Sequence, residues 1–220
     1  AVLDISDPAR PALAGRSEIL PGIVRGVALA GERAYATAGE GGLVVLDLAD
    51  PTRPRTLGSH PTQGLATGLA ISGTHAYVAN GWAGLAIVDA TDPANMSVLA
   101  SWDVAVDGAL DVALSGRRAY LVDAGKGLVV LDVGNPAAPV QIGSLFPMTL
   151  AGDIVIAGGY AYVVASGALH VVDLGAPSGP RAASTVPLTG NVYRVALSGG
   201  HAYVTGDSLH VVDVSDPNDA

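Results

Sequence analysis

Cysteine is absent from this chain of 220 residues, and charged residues are scarce. Without cysteine there can be no disulfide framework, iron–sulfur cluster, thiolate zinc site or thiol nucleophile. Charged residues make up 14% of the chain while 50% of it is hydrophobic, which excludes a coiled coil and a disordered polymer. The longest apolar runs are about five residues, too short to span a bilayer. What remains is a compact fold built mainly from Val, Ala, Leu and Ile.

Basic residues are few and scattered. The formal net charge is −9, and Lys126 is the only lysine. Because no basic stripe is available to neutralise phosphates, we expect no nucleic acid partner and no anionic membrane surface. The short apolar runs predict no membrane insertion by this segment. The chain begins with Ala1 rather than Met, so we expect a processed product or an excerpt of a longer protein.

Three short phrases recur in constant register along the chain. A phrase of the type LVVLDxxDP occurs six times, an Ala-Tyr phrase occurs five times, and a VALSG phrase precedes each of these tyrosines. The marker residues are Asp4, Asp47, Asp89, Asp132, Asp173 and Asp213, and Tyr35, Tyr77, Tyr120, Tyr162 and Tyr203. A period of about 42 residues over the whole chain predicts a repeat architecture.

Each unit reads as four short strands, A to D. The VALSG phrase is strand A, a tight turn leads to the AYV phrase of strand B, and LVVLD is strand C. The consecutive apolar residues of strand C predict burial on both of its faces, which requires a sheet above and a sheet below. Strand D is weaker and more polar, and an Asp-Pro turn precedes it. Radially stacked four-stranded sheets meet these requirements, so the sequence predicts an all-β fold of the β-propeller class.

The strand C phrase, with the Asp-Pro turn after it and the Ala-Tyr phrase before it, resembles the LVIVD repeat of bacterial and archaeal β-propellers. The resemblance covers essentially every unit. Asn135 and Ala176 depart from it, because they replace the turn Asp in two units. The resemblance implies the fold and a secreted or surface-attached protein, but it brings no catalytic motif.

The strand inventory predicts 21 strands, in the order C-D, then four complete units, then A-B-C. We expect one propeller domain over 1–220, with units at 22–63, 64–106, 107–149, 150–189 and 190–217, plus 1–21. Five four-stranded blades would close if an N-terminal outer strand at 11–16 docked onto the last A-B-C unit. One C strand, 2–5 or 209–214, would then lie outside the ring. The alternative is a slice of a larger propeller with six to eight blades.

Candidate ligand-binding residues lie where strand A begins, because there the units stop resembling one another. One column reads Arg25, Thr67, Leu110, Gly152 and Tyr193, and the next reads Gly26, Gly68, Asp111, Asp153 and Arg194. From these columns and the B–C loops we predict a ligand site at the face of the B–C and D–A loops, formed by Arg25, Trp82, Asp111, Asp153, Tyr193 and Arg194. The partner would be a protein or a glycan.

Asp111 and Asp153 admit two readings. A pair of carboxyls at the channel mouth could serve glycoside hydrolysis, provided that one of them has a raised pKa. The alternative, which we favour, is an ion pair or small network with Arg194.

Metal and cofactor chemistry has weak support in the sequence. The Asp residues of the Asp-Pro turns suggest calcium, but a carboxylate that caps the backbone of its own turn explains them better. His170 and His210 share one column, yet equal columns are a whole blade apart, which is too far for a shared zinc ion. We therefore expect no metal, no cofactor and no catalytic residue.

These observations favour a non-catalytic binding or scaffolding propeller of an extracellular or cell-surface protein. A glycoside hydrolase that uses the channel-mouth carboxylates is the first alternative. A purely structural repeat segment of a longer surface protein is the second.

Overall fold

The structure is a computed structural model that describes residues 1–103, 108–145, 148, 151–176 and 179–220. These residues form 21 strands in six antiparallel sheets and one turn of 3-10 helix, Pro93–Asn95. The sheets contain two, four, four, four, four and three strands along the chain. This confirms the all-β class and the predicted strand order. Within the described residues, no helix has the length and hydropathy needed to cross a membrane.

Every strand pairs with its neighbours in sequence, so each sheet is a simple meander. The first, two-stranded sheet, here called the half-blade, consists of β1 (Val2–Asp4) and β2 (Ala12–Gly15). Blade 1 consists of β3 (Gly26–Ala30), β4 (Arg33–Thr37), β5 (Leu43–Asp47) and β6 (Arg55–His60). Blade 2 consists of β7 (Leu69–Ser72), β8 (His75–Ala79), β9 (Leu85–Asp89) and β10 (Ser97–Trp102).

The later sheets repeat this pattern. Blade 3 consists of β11 (Ala109–Ser115), β12 (Arg118–Asp123), β13 (Gly127–Asp132) and β14 (Val140–Leu145). Blade 4 consists of β15 (Asp153–Ala157), β16 (Tyr160–Ala165), β17 (Ala168–Asp173) and β18 (Arg181–Pro187). Blade 5 has three strands, β19 (Val192–Ser198), β20 (His201–Gly206) and β21 (Leu209–Asp213).

The hydrophobic core lies between successive blades rather than inside one sheet. One cluster joins Tyr35 and Val45 of blade 1 to Val78 and Val88 of blade 2. Three further clusters of buried residues join blade 2 to 3, 3 to 4 and 4 to 5. Strand C is buried on both faces in blades 1 to 4, as its unbroken apolar phrase predicted.

The recurring Asp residues cap the turns that join strands C and D. In all six repeats the marker Asp accepts a hydrogen bond from the backbone N–H two residues later, at 2.8–2.9 Å. Asn135 makes the same type of bond through its amide oxygen, which explains why Asn can replace Asp in the turn. The bond to Ala49 is the main reason that the pKa of Asp47 lies below its ordinary value. The carboxylates thus serve the turns, as we expected.

The small residues of strand D fit against the next blade. A Cβ on Gly58 would overlap the carbonyl oxygen of Pro93, which lies in the turn of blade 2. A Cβ on Gly143 would lie 3.1 Å from the ring of Pro180 in blade 4. Successive blades therefore approach one another closely along their outer strands.

The half-blade occupies the C and D positions of a blade that precedes blade 1. Its two strands have a register shift between Val2 and Leu3, at the same place as the shift between Val45 and Leu46 in blade 1. Gly15 abuts the backbone of Pro51 in blade 1, as Gly58 abuts Pro93. The half-blade therefore stacks on blade 1 as each blade stacks on the next.

The predicted closure by an N-terminal strand is not found in the described residues. β2 pairs with β1, and β21 pairs only with β20, so blade 5 keeps three strands. The physical reason is local, because the capped turn that follows Asp4 folds β2 back onto β1. Neither 2–5 nor 209–214 is a surplus strand, since each is the C strand of its own sheet. The blades form an arc whose two ends are not joined by strand pairing in the described residues, and the number of blades in the propeller stays a prediction.

Candidate functional site

The beginnings of the five A strands line a common cavity at the face of the B–C and D–A loops. The cavity has a volume of about 1110 Å³, and each blade contributes one member of the first variable column. These members are Arg25, Thr67, Leu110, Gly152 and Tyr193. A smaller cavity of about 120 Å³ adjoins it and is lined by the second column, Gly26, Gly68, Asp111, Asp153 and Arg194. Residues that are far apart in sequence, and that do not repeat, therefore lie together around the channel.

Five of the six predicted ligand-binding residues line these two cavities, and Trp82 does not. Tyr193 is exposed on the wall of the larger cavity, and Arg25 and Arg194 line both. Trp82 lies in the loop between β8 and β9, where 69% of its surface is exposed. Trp82 is therefore an exposed indole that lines neither cavity.

Asp111 links blade 3 to blade 4. Its Oδ2 accepts a hydrogen bond from the backbone N–H of Ile154 at 3.2 Å, and its Oδ1 fills the space that a side chain at Gly68 would need. The residue as a whole is only partly buried, but its carboxyl is enclosed by Gly68, Ile154 and Asp153. This burial, and then the neighbouring carboxylate of Asp153, raise the pKa of Asp111 well above its ordinary value.

Asp153 links blade 4 to blade 5 in the same way. Its Oδ2 accepts a hydrogen bond from the backbone N–H of Val195 at 2.7 Å. Its Oδ1 lies 3.8 Å from Nη1 of Arg194, and this guanidinium also donates to the carbonyl oxygen of Gly152 at 3.2 Å. The side chain of Arg194 remains 57% exposed. The network that we favoured from the sequence is present, although Arg194 pairs with Asp153 and not with both carboxyls.

Two threonines make the corresponding links in the earlier blades, and the sequence analysis missed their role. The hydroxyl of Thr37 donates to the carbonyl oxygen of Thr67 at 2.6 Å, across the boundary of blades 1 and 2. The hydroxyl of Thr67 lies 3.1 Å from the carbonyl oxygen of Ala109 in blade 3. Thr37 is completely buried, and its position in strand B is Ala or Val in the next three blades. A threonine at a position that is Ala or Val in the three following blades was the available signal, although blade 5 has a threonine there again, Thr205.

Arg25 differs from Arg194 in having no acceptor for its guanidinium. Its backbone N–H donates to Thr37, but the side chain makes no ion pair or hydrogen bond with any residue that the structure describes. The side chain is exposed beside Gly39 and contributes to both cavities. No described residue accepts the N–H donors of the Arg25 side chain, so they are available to a ligand at the channel mouth.

Metal ligation has no support in the described part of the chain, where no group of three or more His, Asp or Glu residues could hold an ion. His170 contacts the hydroxyl of Thr185 at 3.2 Å, and His210 contacts the carbonyl oxygen of Thr189 at 3.0 Å. Each histidine is thus engaged within its own part of the arc. Burial lowers the pKa of His170.

Known structures with the same architecture include proteins of very different origin. A functionally unknown protein from Desulfotomaculum acetoxidans matches with a TM-score of 0.72 at 14% identity, over 87% of this chain and 66% of that one. The β-propeller domain of Swd1 from Myceliophteria thermophila matches with a TM-score of 0.69 at 14% identity, over 88% of this chain and 71% of that one. A nidogen/laminin complex contains a chain that matches with a TM-score of 0.66 at 12% identity, over 89% and 78%. These similarities establish the β-propeller fold.

The chain spans about two thirds of the length of the first of these relatives. The comparison with curated proteins gives no match. The sequence description of the LVIVD repeat, in contrast, matches six segments that together cover nearly the whole chain: 1–18, 21–62, 63–104, 107–146, 150–186 and 189–219. With its capped C–D turns and buried C strands, the chain belongs to the LVIVD repeat family.

Proposed function

We propose that this protein is a non-catalytic binding module that holds an anionic group of a protein or glycan ligand at the channel mouth. The observation that carries the proposal is the convergence of the variable columns on one cavity, where Arg25 lies at the wall and its side chain has no acceptor among the residues that the structure describes. The repeating residues are accounted for by the blades that they build. Among the variable residues, Thr67, Asp111 and Asp153 link successive blades, whereas the side chain of Arg25 makes no such link to any residue that the structure describes.

The charges around the cavity support an anionic ligand. Arg25 and Arg194 both line it, and Arg194 still has more than half of its side chain exposed. Of the two carboxyls, Asp111 has a raised pKa and thus a weakened negative charge. Asp207 accepts hydrogen bonds from the backbone and side-chain amides of Asn191, which lines the cavity. Two guanidinium groups in a cleft of an otherwise acidic protein favour a carboxylate or a similar anion.

The glycoside hydrolase alternative is weaker on the same geometry. A raised pKa beside a second carboxylate is the pattern that an acid–base pair requires. However, Asp111 and Asp153 each use one carboxylate oxygen to accept a hydrogen bond from a backbone N–H of the next blade. The two carboxyls are also close enough to hydrogen-bond each other. Catalytic carboxyls stand about 5 Å or more apart to leave room for the sugar bond. Their use as links between blades therefore supports a structural role.

The test uses an array of acidic and neutral glycans and peptides of matched size, followed by titration calorimetry on the members that bind. We expect binding to be restricted to acidic members and to weaken as the salt concentration rises. Arg25→Ala and Arg194→Ala should each weaken it about tenfold or more, because each removes charge-assisted hydrogen bonds.

The matched control is Arg10→Ala, which makes the same change in charge at an exposed turn of the half-blade that lines neither cavity. It should leave the affinity unchanged. A preference for neutral members, or equal affinity of the Arg25 and Arg194 variants and the parent protein, would overturn the assignment of the site. Turnover on a panel of glycosides, abolished by Asp111→Asn, would favour the hydrolase instead.

A further inference from the structure

One face of blade 5 is uncovered, although the same face is buried in every earlier blade. The tyrosine of strand B is 2–4% exposed in blades 1 to 4, but Tyr203 is 37% exposed. The leucine that begins the strand C phrase is completely buried in blades 1 to 4, but Leu209 is 63% exposed. Val211 is 55% exposed. The residue types are the same in every blade, so the difference comes from the missing neighbour.

The opposite end of the arc is uncovered in the corresponding way. Val27 and Leu29 of β3 are 66% and 70% exposed. The residue that corresponds to Val27 is half-buried in blade 2, where it is Leu69. In blades 3 to 5 it is Val112, Ile154 and Val195, which are 3–6% exposed because the A strand of each of these blades packs against the preceding blade. The half-blade offers no A or B strand, since β1 pairs with β2 alone and its other edge is free.

The free edge of β21 borders a groove. The groove has a volume of about 630 Å³ and runs between β21 and the end of β18. Val186 and Leu188 form one side, and Leu209 and Val211 form the other. In blades 1 to 4 a D strand pairs with the equivalent edge of strand C. The groove is therefore the place of an absent fourth strand.

We propose that the open side of the arc, here called the gap face, binds a three-stranded segment of the same repeat in the order D-A-B. Its D strand pairs with β21, and its A–B hairpin pairs with β1 and turns the half-blade into a sixth complete blade. This one occupant covers the free edges of β21 and β1, the exposed residues of blade 5 and the exposed residues of β3. It provides the missing strands of both incomplete sheets and leaves no strand over. The inference does not depend on the ligand site at the channel mouth.

The test adds such a segment to the chain from its own sequence. In blades 1 to 4, strand D begins eight residues after the Asp that ends strand C, as in Asp47 and Arg55. The first variant carries a copy of residues 55–79, which form β6, β7 and β8, joined directly after Ala220. The copied D strand then begins eight residues after Asp213, as in the other blades. A second variant carries a copy of residues 181–206, which form β18, β19 and β20. The control carries residues 55–79 in scrambled order.

Hydrogen exchange is measured by mass spectrometry on peptides that cover β21 and β1. We expect exchange at both strands to slow at least tenfold in the two in-register variants and to stay unchanged in the scrambled control. Leu209→Asp should abolish this protection while leaving the exchange of the 220-residue chain unchanged, because Leu209 is exposed in that chain. If neither extension slows hydrogen exchange at β21 and β1, the proposal is overturned. So would protection of β21 in the unextended chain through a concentration-dependent dimer, which would make a second copy the occupant.

Discussion

The tyrosine of strand B offers a sharp test of the packing between blades, because one side chain occurs in two environments. Tyr77 is 3% exposed and packs with Leu85, Ile87 and Leu121 in the cluster between blades 2 and 3. Removal of a large buried aromatic costs about 3–5 kcal/mol, through lost burial and the cavity that remains. We therefore expect Tyr77→Ala to lower the free energy of unfolding by about 3–4 kcal/mol.

Tyr203→Ala is the matched control. The residue holds the same position in blade 5, but 37% of its surface is exposed and no following blade encloses the space that it would leave. We expect a loss of about 1 kcal/mol, since little cavity is created. Trp82→Ala, at a loop where the indole is 69% exposed, should cost less than about 1 kcal/mol.

Urea unfolding followed by circular dichroism gives the three free energies. Because an open array of repeats can unfold in parts, the slope of each transition must match that of the parent chain before the values are compared. Equal losses for Tyr77→Ala and Tyr203→Ala would refute the argument that the following blade is what buries this column. A loss for Trp82→Ala as large as that for Tyr77→Ala would refute its placement at an exposed loop.

Three further predictions concern single contacts. Asp111→Asn should be at least as stable as the parent protein at pH 7, and the difference in the free energy of unfolding should vanish toward pH 4. Because the pKa of Asp111 is raised in the folded state, its contribution to stability is complete below the ordinary value of 3.8 and is lost as the pH rises through the raised pKa. Asn does not titrate, so the variant does not have this pH dependence. Acid titration of both proteins, monitored by urea unfolding at each pH, measures this, and a constant difference would contradict it. Gly58→Ala should lower the free energy of unfolding by about 2–3 kcal/mol, because its Cβ would overlap the backbone of Pro93. Gly143→Ala should lower it by about 1 kcal/mol or less, because its Cβ would contact only the ring of Pro180. Equal shifts of the melting temperature in the two variants would contradict this order. Thr37→Val should lower the free energy of unfolding by about 1–3 kcal/mol, because it removes the donor to the carbonyl oxygen of Thr67 at a buried site. An unchanged free energy in urea unfolding would show that water replaces the hydroxyl.

The sequence predicted the strands and their order because each signal is local. Four consecutive apolar residues indicate burial on two faces wherever they occur, and the Asp-Pro phrase fixes its own turn. Closure of the ring is a different kind of question. Counting strands does not tell whether the first C–D pair and the last A–B–C unit share a blade, because that depends on the angle between successive sheets.

The sequence predicted which residues line the cavity, but it did not predict the hydrogen bonds that their side chains make. Variation within a regular column indicated Asp111 and Asp153 before any geometry was known. That each carboxyl accepts a backbone N–H of the next blade depends on the spacing between blades, which no residue pattern encodes. Trp82 lies in the exposed loop between β8 and β9, as predicted, and its part in ligand binding stays a prediction. The extracellular location and the identity of the partner stay predictions.

The fit of strand D glycines against the turns of the next blade has a consequence for how such arrays change in evolution. Gly58 and Pro93 lie in different repeats, yet each constrains the other. Blade 1 therefore carries one half of such a contact on its outer strand, Gly58, and the complementary half of another on its turn, where Pro51 meets Gly15. Duplication of a whole repeat creates two matched junctions at once, whereas exchange of a single strand breaks one. Growth by whole units is thus the route that keeps every junction intact, and the length of the array can change more easily than the content of any one blade.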